Sequence, residues 1–328
     1  MSVATSPRAT PGNAAWSRLG AVVRRALQAI PTAIGVTVLT FLLIRLIPGD
    51  PARTALGPHA SARAVAALRA RWGLNQSLPV QYWHYLVHLA QGNLGQSLFY
   101  HRPATAVIGS FVAPTVWLIV YSALLSVAIS IPVAAAAAVL RGRPFDQGVR
   151  LLSQIALGMP QPWLGLLLIL GFALKIHVFP VGGFGVGLAG HISAMFLPSL
   201  TIAIGIAPIL IRALRVELLE VLGADYVTTA RAKGLRESRV LLRHALHNAA
   251  IRAVTVLGLN IAWLVSGTVV VELVFGLPGL GSLLVTSILQ RDFPLVQGLA
   301  LLFALMVIAV NLATDIARSV LDPRTGLS

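Results

Sequence analysis

The most polar stretch of this chain lies between two long apolar runs and carries five basic side chains: Arg231, Lys233, Arg236, Arg239 and Arg243. At the centre of a membrane helix each would cost about 2.5–3.5 kcal/mol, so inserting all five would cost on the order of 15 kcal/mol. The stretch therefore lies outside the bilayer. It presents a dense set of cationic hydrogen-bond donors to the aqueous phase.

Two glycines, Gly223 and Gly234, bracket a helix-permissive piece of about ten residues within this stretch. Asp225 is placed to cap the start of a helix, and Gly234 to end it in a left-handed turn. The sequence thus predicts a short basic helix, held between membrane spans and available to a partner in the aqueous phase.

Polar side chains within the apolar runs form a second set of candidates, because intramembrane polar groups often face a bundle interior or a pathway. The alternative is that they only form hydrogen bonds between helices. Glu272 lies near one end of its run, beside Gly276-Leu-Pro-Gly-Leu-Gly281, and need not be deeply buried. The candidate pathway residues are Gln161, Asn260, Ser266, Glu272 and Asn311.

No catalytic or cofactor site is predicted. His84 and His88 are spaced i, i+4 on a predicted helix and could hold a metal, but no adjacent carboxylate completes such a site. The run from Gly182 to Gly187 follows no strand, so it is interpreted as a flexible external turn and not a dinucleotide loop. The chain lacks the GxxxxGK[ST] phosphate loop, His-Glu-x-x-His and Gly-x-Ser-x-Gly, and it has no cysteine.

The composition identifies a membrane protein: 57% of the 328 residues are hydrophobic, 11% are charged, and mean hydropathy is +0.83. The net charge of +15 is then better explained by arginines that set topology than by nucleic-acid binding. Continuous apolar runs favour helices over barrel strands. About six spans are predicted: Leu27–Ile47, Pro114–Leu140, Leu151–Leu174, Phe196–Ile211, Val254–Phe275 and Val296–Ile316.

An even number of spans places both termini on one side, and most of the 25 Lys and Arg residues fall on that side, which is therefore expected to be cytoplasmic. The predicted division is a cytoplasmic tail (1–26), a first transmembrane helix (27–47), an external segment with amphipathic helices (48–112), a transmembrane core (113–318) and a cytoplasmic tail (319–328). The core includes a cytoplasmic loop at 215–250. In the external segment, Ala60–Trp72 and Leu78–Ala90 have helical character.

Residues 225–249 resemble the inner-membrane permease subunits of bacterial ATP-binding-cassette importers of the dipeptide/oligopeptide/nickel family. The segment Tyr226-Val-Thr-Thr-Ala-Arg-Ala-Lys-Gly-Leu235 is similar to the peptide-importer form of their cytoplasmic EAA loop, although Glu-Ala-Ala itself is absent. Further similar blocks are Leu46-Ile-Pro-Gly-Asp-Pro51, Gly92-Asn-Leu-Gly-Gln-Ser97, Val269-Val-Val-Glu-Leu-Val-Phe275 with Pro278-Gly-Leu-Gly281, and Arg291-Asp-Phe-Pro-Leu-Val-Gln297.

The resemblance implies an all-α polytopic membrane protein with the type I importer permease fold. It implies four kinds of partner: a homologous second permease, two cytoplasmic ATP-binding subunits, an external substrate-binding protein and membrane lipid. Peptides or similar small solutes would be the cargo. The ATPase-coupling residues would be Asp225, Tyr226, Thr229, Ala230, Arg231, Lys233 and Gly234. The alternative function is an ion-coupled transporter that uses Glu272 or Asp315, but no paired internal repeat is found.

Overall fold

A computed structural model describes residues 30–42, 50–57, 59–232, 256, 258, 260, 264–265 and 267–321. These residues are mostly helical. The helices before the first long span are α1 (Ile30–Leu42), α2 (Pro51–Leu56), α3 (Ala62–Arg71) and α4 (Leu78–Ala90). Those that follow are α5 (Ala104–Val139), α6 (Pro144–Gly158), α7 (Gln161–Leu168), α8 (Gly187–Leu222), α9 (Asp225–Ala232), α10 (described over 267–274), α11 (Leu280–Leu289) and α12 (Phe293–Leu321).

Three of the described helices are long and apolar enough to cross a membrane: α5, α8 and the first 22 residues of α12. A bent pair, α6 with α7 and its π-helical continuation Ile169–Lys175, makes up to four. The predicted spans 27–47 and 254–275 lie partly outside the described residues. At 36 residues, α5 and α8 are each about 54 Å long, so both extend well beyond a hydrocarbon core of about 30 Å.

The predicted span Leu151–Leu174 is sharply bent: the chain turns by 106° between α6 and α7, where the sequence places Pro160 and Pro162. Met159 has extended backbone angles, φ −79° and ψ 125°, and Pro160 follows it. A residue before proline is driven out of the helical region by the proline ring, and proline itself has no N–H to donate. Pro132 and Pro208 lie inside the continuous helices α5 and α8.

The pair α5 and α8 forms the centre of the bundle and makes its most extensive helix contact. On α5 every fourth residue facing this contact is small and buried, and Ser130 Oγ donates to the Ala207 carbonyl of α8 at 3.3 Å. Small side chains let two helix backbones approach closely in lipid. The residues of this small-residue stripe are Ser122, Ser126, Ser130, Ala134 and Ala138.

The amphipathic helix predicted at Leu78–Ala90 is confirmed with the same bounds. Tyr82 and Tyr85 face α1, where their rings lie 5.2 and 6.0 Å from that of Phe41, and the Tyr82 hydroxyl is 2.8 Å from Thr37 Oγ1. Trp83, on the other side, is 65% exposed. An apolar ring carrying one polar N–H suits the membrane–water interface, and the placement of α4 there stays a prediction.

Long-range contacts assign the loops to the two ends of the bundle. At one end, the α5–α6 turn joins α8 through Asp146 and Arg215. At the other, Asp292 in the α11–α12 turn accepts hydrogen bonds from Ser97 Oγ and the Phe99 N–H, although both donors precede α5. The α5–α6 turn and the α8–α9 region therefore share one end, and the segment before α5 lies at the other.

Candidate functional site

The short helix expected in the polar stretch is present: α9 runs from Asp225 to Ala232. Two residues separate its start from the end of α8 at Leu222. Asp225 is the first residue of the helix, so it lies in the first turn and not at the capping position. Its side chain is exposed. Thr229, also exposed, donates from Oγ1 to the Asp225 carbonyl at 3.0 Å. The predicted end of the helix at Gly234, together with Lys233, lies outside the described residues.

One side chain anchors α9 to the bundle. Val227 is fully buried and joins the apolar cluster formed by the end of α5 and the end of α8, which includes Leu214, Leu218 and Val221. Burying a valine stabilises such a contact by about 1.5–3 kcal/mol. Because Val227 is buried while Asp225 and Thr229 are exposed, α9 is attached along one face and presents another to solvent.

A buried ion pair fixes the end of α8 that leads into α9. The Asp146 carboxylate accepts two hydrogen bonds from Arg215, from Nε at 2.7 Å and Nη2 at 2.8 Å, and one from the Gly142 N–H at 3.0 Å. Only 1% of the Asp146 side chain is exposed. A bidentate pair of this kind fixes both the distance between the two side chains and their relative orientation.

The residues of this pair were not among the candidates, although the sequence carries a signal for one of them. Asp146 stands in the first turn of α6, where an acidic side chain faces the positive end of the helix dipole, and Arg150 follows it at i+4. That signal predicts an Asp146–Arg150 pair. In the structure, Arg150 lies no closer than 4.0 Å to the Asp146 carboxylate, and Arg215 makes the close contact instead.

Of the candidate pathway residues, Gln161 has the most suggestive surroundings. It is the first residue of α7, just after the bend, and its side-chain amide lies beside Gly205 of α8 and Gly267 of α10. A Cβ at Gly205 would come 3.3 Å from Nε2, and one at Gly267 would come 3.4 Å from Oε1. Two glycines thus leave room for a half-buried amide at a junction of three helices.

Within the described part of the chain, no contact joins Gln161 to the other candidate pathway residues. Asn260 is half-buried and donates from Nδ2 to the Val256 carbonyl of its own helix at 2.7 Å. Asn311 is exposed on α12. Ser266 lies outside the described residues. Their assignment to a pathway remains a prediction.

The expectation that Glu272 need not be deeply buried is wrong, because its side chain is fully buried. Thr115 Oγ1 of α5 donates to Oε1 at 2.6 Å, and the Ser282 N–H of α11 donates to Oε2 at 2.9 Å. Thr115 Oγ1 itself accepts from the Leu280 N–H at 2.8 Å. Glu272 therefore joins α5, α10 and α11, and its carboxylate is satisfied by neutral donors.

The glycines of Pro278-Gly-Leu-Gly281 are explained by this carboxylate. A Cβ at Gly279 would clash with the carboxyl carbon of Glu272, and one at Gly281 would lie 2.9 Å from Oε2 and 2.5 Å from the Val269 Cα. Neither glycine needs positive φ. Both are required by the close approach of the α10–α11 turn to the buried carboxylate.

The Gly182–Gly187 segment is a turn, as predicted, and two of its glycines make close backbone contacts; its flexibility stays a prediction. A Cβ at Gly182 would overlap the Phe275 carbonyl oxygen at the end of α10, and one at Gly185 would overlap the Gly190 carbonyl. Gly183, Gly185 and Gly187 have positive φ, between 68° and 84°. The turn folds over the end of α10 because glycines permit both the backbone angles and the contact.

No group of three or more His, Cys, Asp or Glu side chains that could hold a metal occurs in the part of the chain that the structure describes. His84 and His88 are both exposed on α4. The contacts in the described part are hydrogen bonds, one buried ion pair and apolar packing.

These features define a polytopic helical membrane protein. The chain belongs to the family of binding-protein-dependent transport system inner membrane components, whose profile matches residues 128–327; the profile of the N-terminal part of such components matches residues 19–131. The protein is thus an inner-membrane permease subunit of an ATP-binding-cassette importer, a transport component and not an enzyme.

Similar curated proteins cover almost the whole chain. The glutathione transport system permease protein GsiC of Salmonella choleraesuis (strain SC-B67) is 41% identical over 305 residues, which is 93% of this chain and 98% of that protein. GsiC of Escherichia coli (strain K12) is 39% identical over the same shares of the two chains.

Solved structures share the fold. The MetNI methionine ABC transporter in an inward-facing conformation matches with a TM-score of 0.56 at 17% identity, over 66% of this chain and 96% of that chain. An amino acid ABC transporter crystallised with histidines matches with a TM-score of 0.50 at 14% identity, over 65% and 94%. The all-α fold predicted from the sequence, that of a type I importer permease, is confirmed.

Proposed function

We propose that this permease forms half of a translocation pathway for small peptides, and that α9 couples it to a separate ATP-hydrolysing subunit. A homologous second permease completes the pathway, two ATP-binding subunits bind at the α9 end, and a substrate-binding protein delivers cargo at the other. In this arrangement the tails 1–26 and 319–328 both lie in the cytoplasm. The first transmembrane helix is 27–47, the external segment is 48–112 and the transmembrane core is 113–318.

The observation that carries the coupling proposal is the rigid attachment of α9. Its buried Val227 packs on the same cluster as Leu214 and Leu218 of α8, and Arg215 between them is held by Asp146. A displacement of α9 is therefore transmitted to α8, most of whose apolar part is buried among other helices. A loosely tethered loop would absorb such a displacement in its own backbone.

The cargo proposal depends on the relatives. GsiC is described as a permease of glutathione transport, and glutathione is a small, charged tripeptide. We infer a peptide of similar size for this chain. Half-buried amides such as Gln161 and Asn260 can exchange hydrogen bonds with a peptide backbone without attracting a free ion.

Site-directed crosslinking tests the coupling proposal directly, because the native chain has no cysteine and every single-cysteine variant is free of background. Thr229→Cys, exposed on α9, is expected to crosslink to an ATP-binding subunit in the assembled importer. The matched control is His101→Cys, an exposed position at the other end of the bundle. Crosslinking of His101→Cys but not Thr229→Cys to that subunit would refute the assignment of α9.

A further inference from the structure

A cleft of about 370 Å³ opens between α6 and α8, close to the Asp146–Arg215 pair. Its lining combines apolar and cationic side chains, which suits an amphiphile better than a fully polar solute. Val149, Leu151, Ile211 and Val216 are apolar, Ser153 and Gln154 are polar and uncharged, and Arg150, Arg212 and Arg215 are cationic.

The cleft lies at the level where both helices change from apolar to charged. On α8 an apolar run ends at Ile211, and Arg212 follows it. On α6, which runs in the opposite sense here, Arg150 is followed by Leu151 and Leu152, which are 63% and 66% exposed. Exposed leucines next to exposed arginines mark the boundary between hydrocarbon and headgroups.

The charges around the cleft do not cancel. Arg215 is committed to Asp146 by two hydrogen bonds. Arg150 lies 4.0 Å from the same carboxylate with 59% of its side chain exposed, which leaves most of its donors available. Arg212 is exposed and makes no hydrogen bond or ion pair with any residue that the structure describes. The three guanidinium groups that line the cleft thus have one carboxylate beside them, which Arg215 and Arg150 approach and Arg212 does not.

We propose that this cleft binds one anionic glycerophospholipid. Its phosphate accepts hydrogen bonds from Arg150 and Arg212, and one acyl chain lies along the exposed faces of Leu151 and Val216. Guanidinium groups match phosphate oxygens in geometry and charge, and basic pockets between membrane helices suit anionic headgroups. The bound lipid would brace α6 against α8 beside the ion pair that holds the end of α8.

Native mass spectrometry of the full-length chain in neutral detergent, titrated with phosphatidylglycerol or phosphatidylcholine, tests the headgroup site. Arg150→Gln and Arg212→Gln are each expected to lower the retention of phosphatidylglycerol relative to phosphatidylcholine about fivefold. Arg141→Gln is the matched control: it makes the same charge change at the same end of the bundle, outside the cleft. It should leave the ratio unchanged, and an equal loss in Arg141→Gln would overturn the proposal.

Two further measurements distinguish a bound phospholipid from a soluble phosphate that would occupy the same arginines. Val216→Trp, which fills the cleft without changing its charge, should reduce phosphatidylglycerol retention; full retention would exclude the acyl-chain groove. Excess glycerol 3-phosphate should not displace the lipid, and displacement would indicate a soluble-anion site. In the assembled importer the Arg212-dependent lipid should be retained; its loss would overturn the proposal in favour of a partner protein that covers the cleft.

Discussion

Arg215 and Asp146 are 69 residues apart and form a bidentate pair, with nitrogen–oxygen distances of 2.7 and 2.8 Å. The pair joins the turn after α5 to the part of α8 that leads into α9. In a bundle whose central helix α5 presents a stripe of small side chains to α8, the pair is a directional link at the end where the ATP-binding subunits are proposed to act.

Removing the carboxylate should destabilise the protein. Asp146→Asn leaves the Arg215 guanidinium without its counter-charge, and we expect a loss of about 3 kcal/mol in unfolding free energy. This is the low end for a buried pair, because 17% of the Arg215 side chain is exposed. Unfolding of the purified chain in mixed micelles measures the change.

Arg150→Gln is the control for that experiment, since Arg150 approaches the same carboxylate only at 4.0 Å and is mostly exposed. Its loss should cost at most about 1 kcal/mol. If the two variants are equally stable, Arg215 does not form the dominant contact.

The hydroxyl group of Thr115 is expected to contribute more to the free energy of unfolding than the volume of the side chain does. Thr115→Val keeps the volume but leaves one oxygen of Glu272 and the Leu280 N–H without their partner, which should cost about 2 kcal/mol. Thr115→Ser keeps the hydroxyl and should retain most of the stability. A valine variant as stable as the wild type would contradict the role given to the hydrogen bonds of Glu272.

Gly279→Ala should be destabilising because the added methyl group would clash with the Glu272 carboxyl carbon. Overpacking of this kind costs about 1–3 kcal/mol. Gly148→Ala is the matched control: Gly148 lies inside α6, and a Cβ there would meet nothing within 4 Å. Alanine at that position should be neutral or stabilise by about 0.5–1 kcal/mol. Equal effects at both positions would contradict the clash.

Uptake by the assembled importer should require ATP and survive collapse of the proton gradient. The measurement is cargo accumulation in vesicles at constant ATP, with and without a protonophore. Inhibition by the protonophore would favour ion-coupled transport through Glu272 or Asp315.

The elements that could be predicted from the sequence are those set by local chemistry. The bounds of α4 follow from its amphipathic pattern between Ser77 and Gln91. The existence of α9 follows from the helix-permissive piece between Gly223 and Gly234, and its place outside the bilayer from the cost of the charges of this stretch in lipid. The stripe of Ser122, Ser126 and Ser130 has a period of four and could have been recognised as a helix-packing face before the structure was known.

The burial of Glu272 could not be predicted, because it depends on residues distant in the chain. Its first donor, Thr115, lies 157 residues away, and the close approach of Gly279 depends on the path of the α10–α11 turn. Position within an apolar run says only how far along a helix a group lies. Depth in the protein is decided by which neighbours cover it.

The bend at Met159 is predicted by Pro160 and Pro162, because a proline inside a span favours a kink, but hydropathy alone does not show it. The run from Leu151 to Leu174 is mostly apolar, with Ser153, Gln154 and Gln161 as polar residues, and it is long enough for one span; hydropathy counts composition without regard to the backbone. The missing N–H groups of Pro160 and Pro162 decide the outcome.

The small-residue stripe on α5 has a mechanical consequence. Large interlocking side chains oppose both separation and lengthwise travel of two helices, whereas a track of serines and alanines opposes chiefly separation. We expect α8 to glide along α5 by small axial steps at little cost, with Ser130 exchanging one carbonyl for the next. Distances between spin labels on α5 and α8, followed through the ATP cycle, would reveal such travel, and an invariant distance would exclude it.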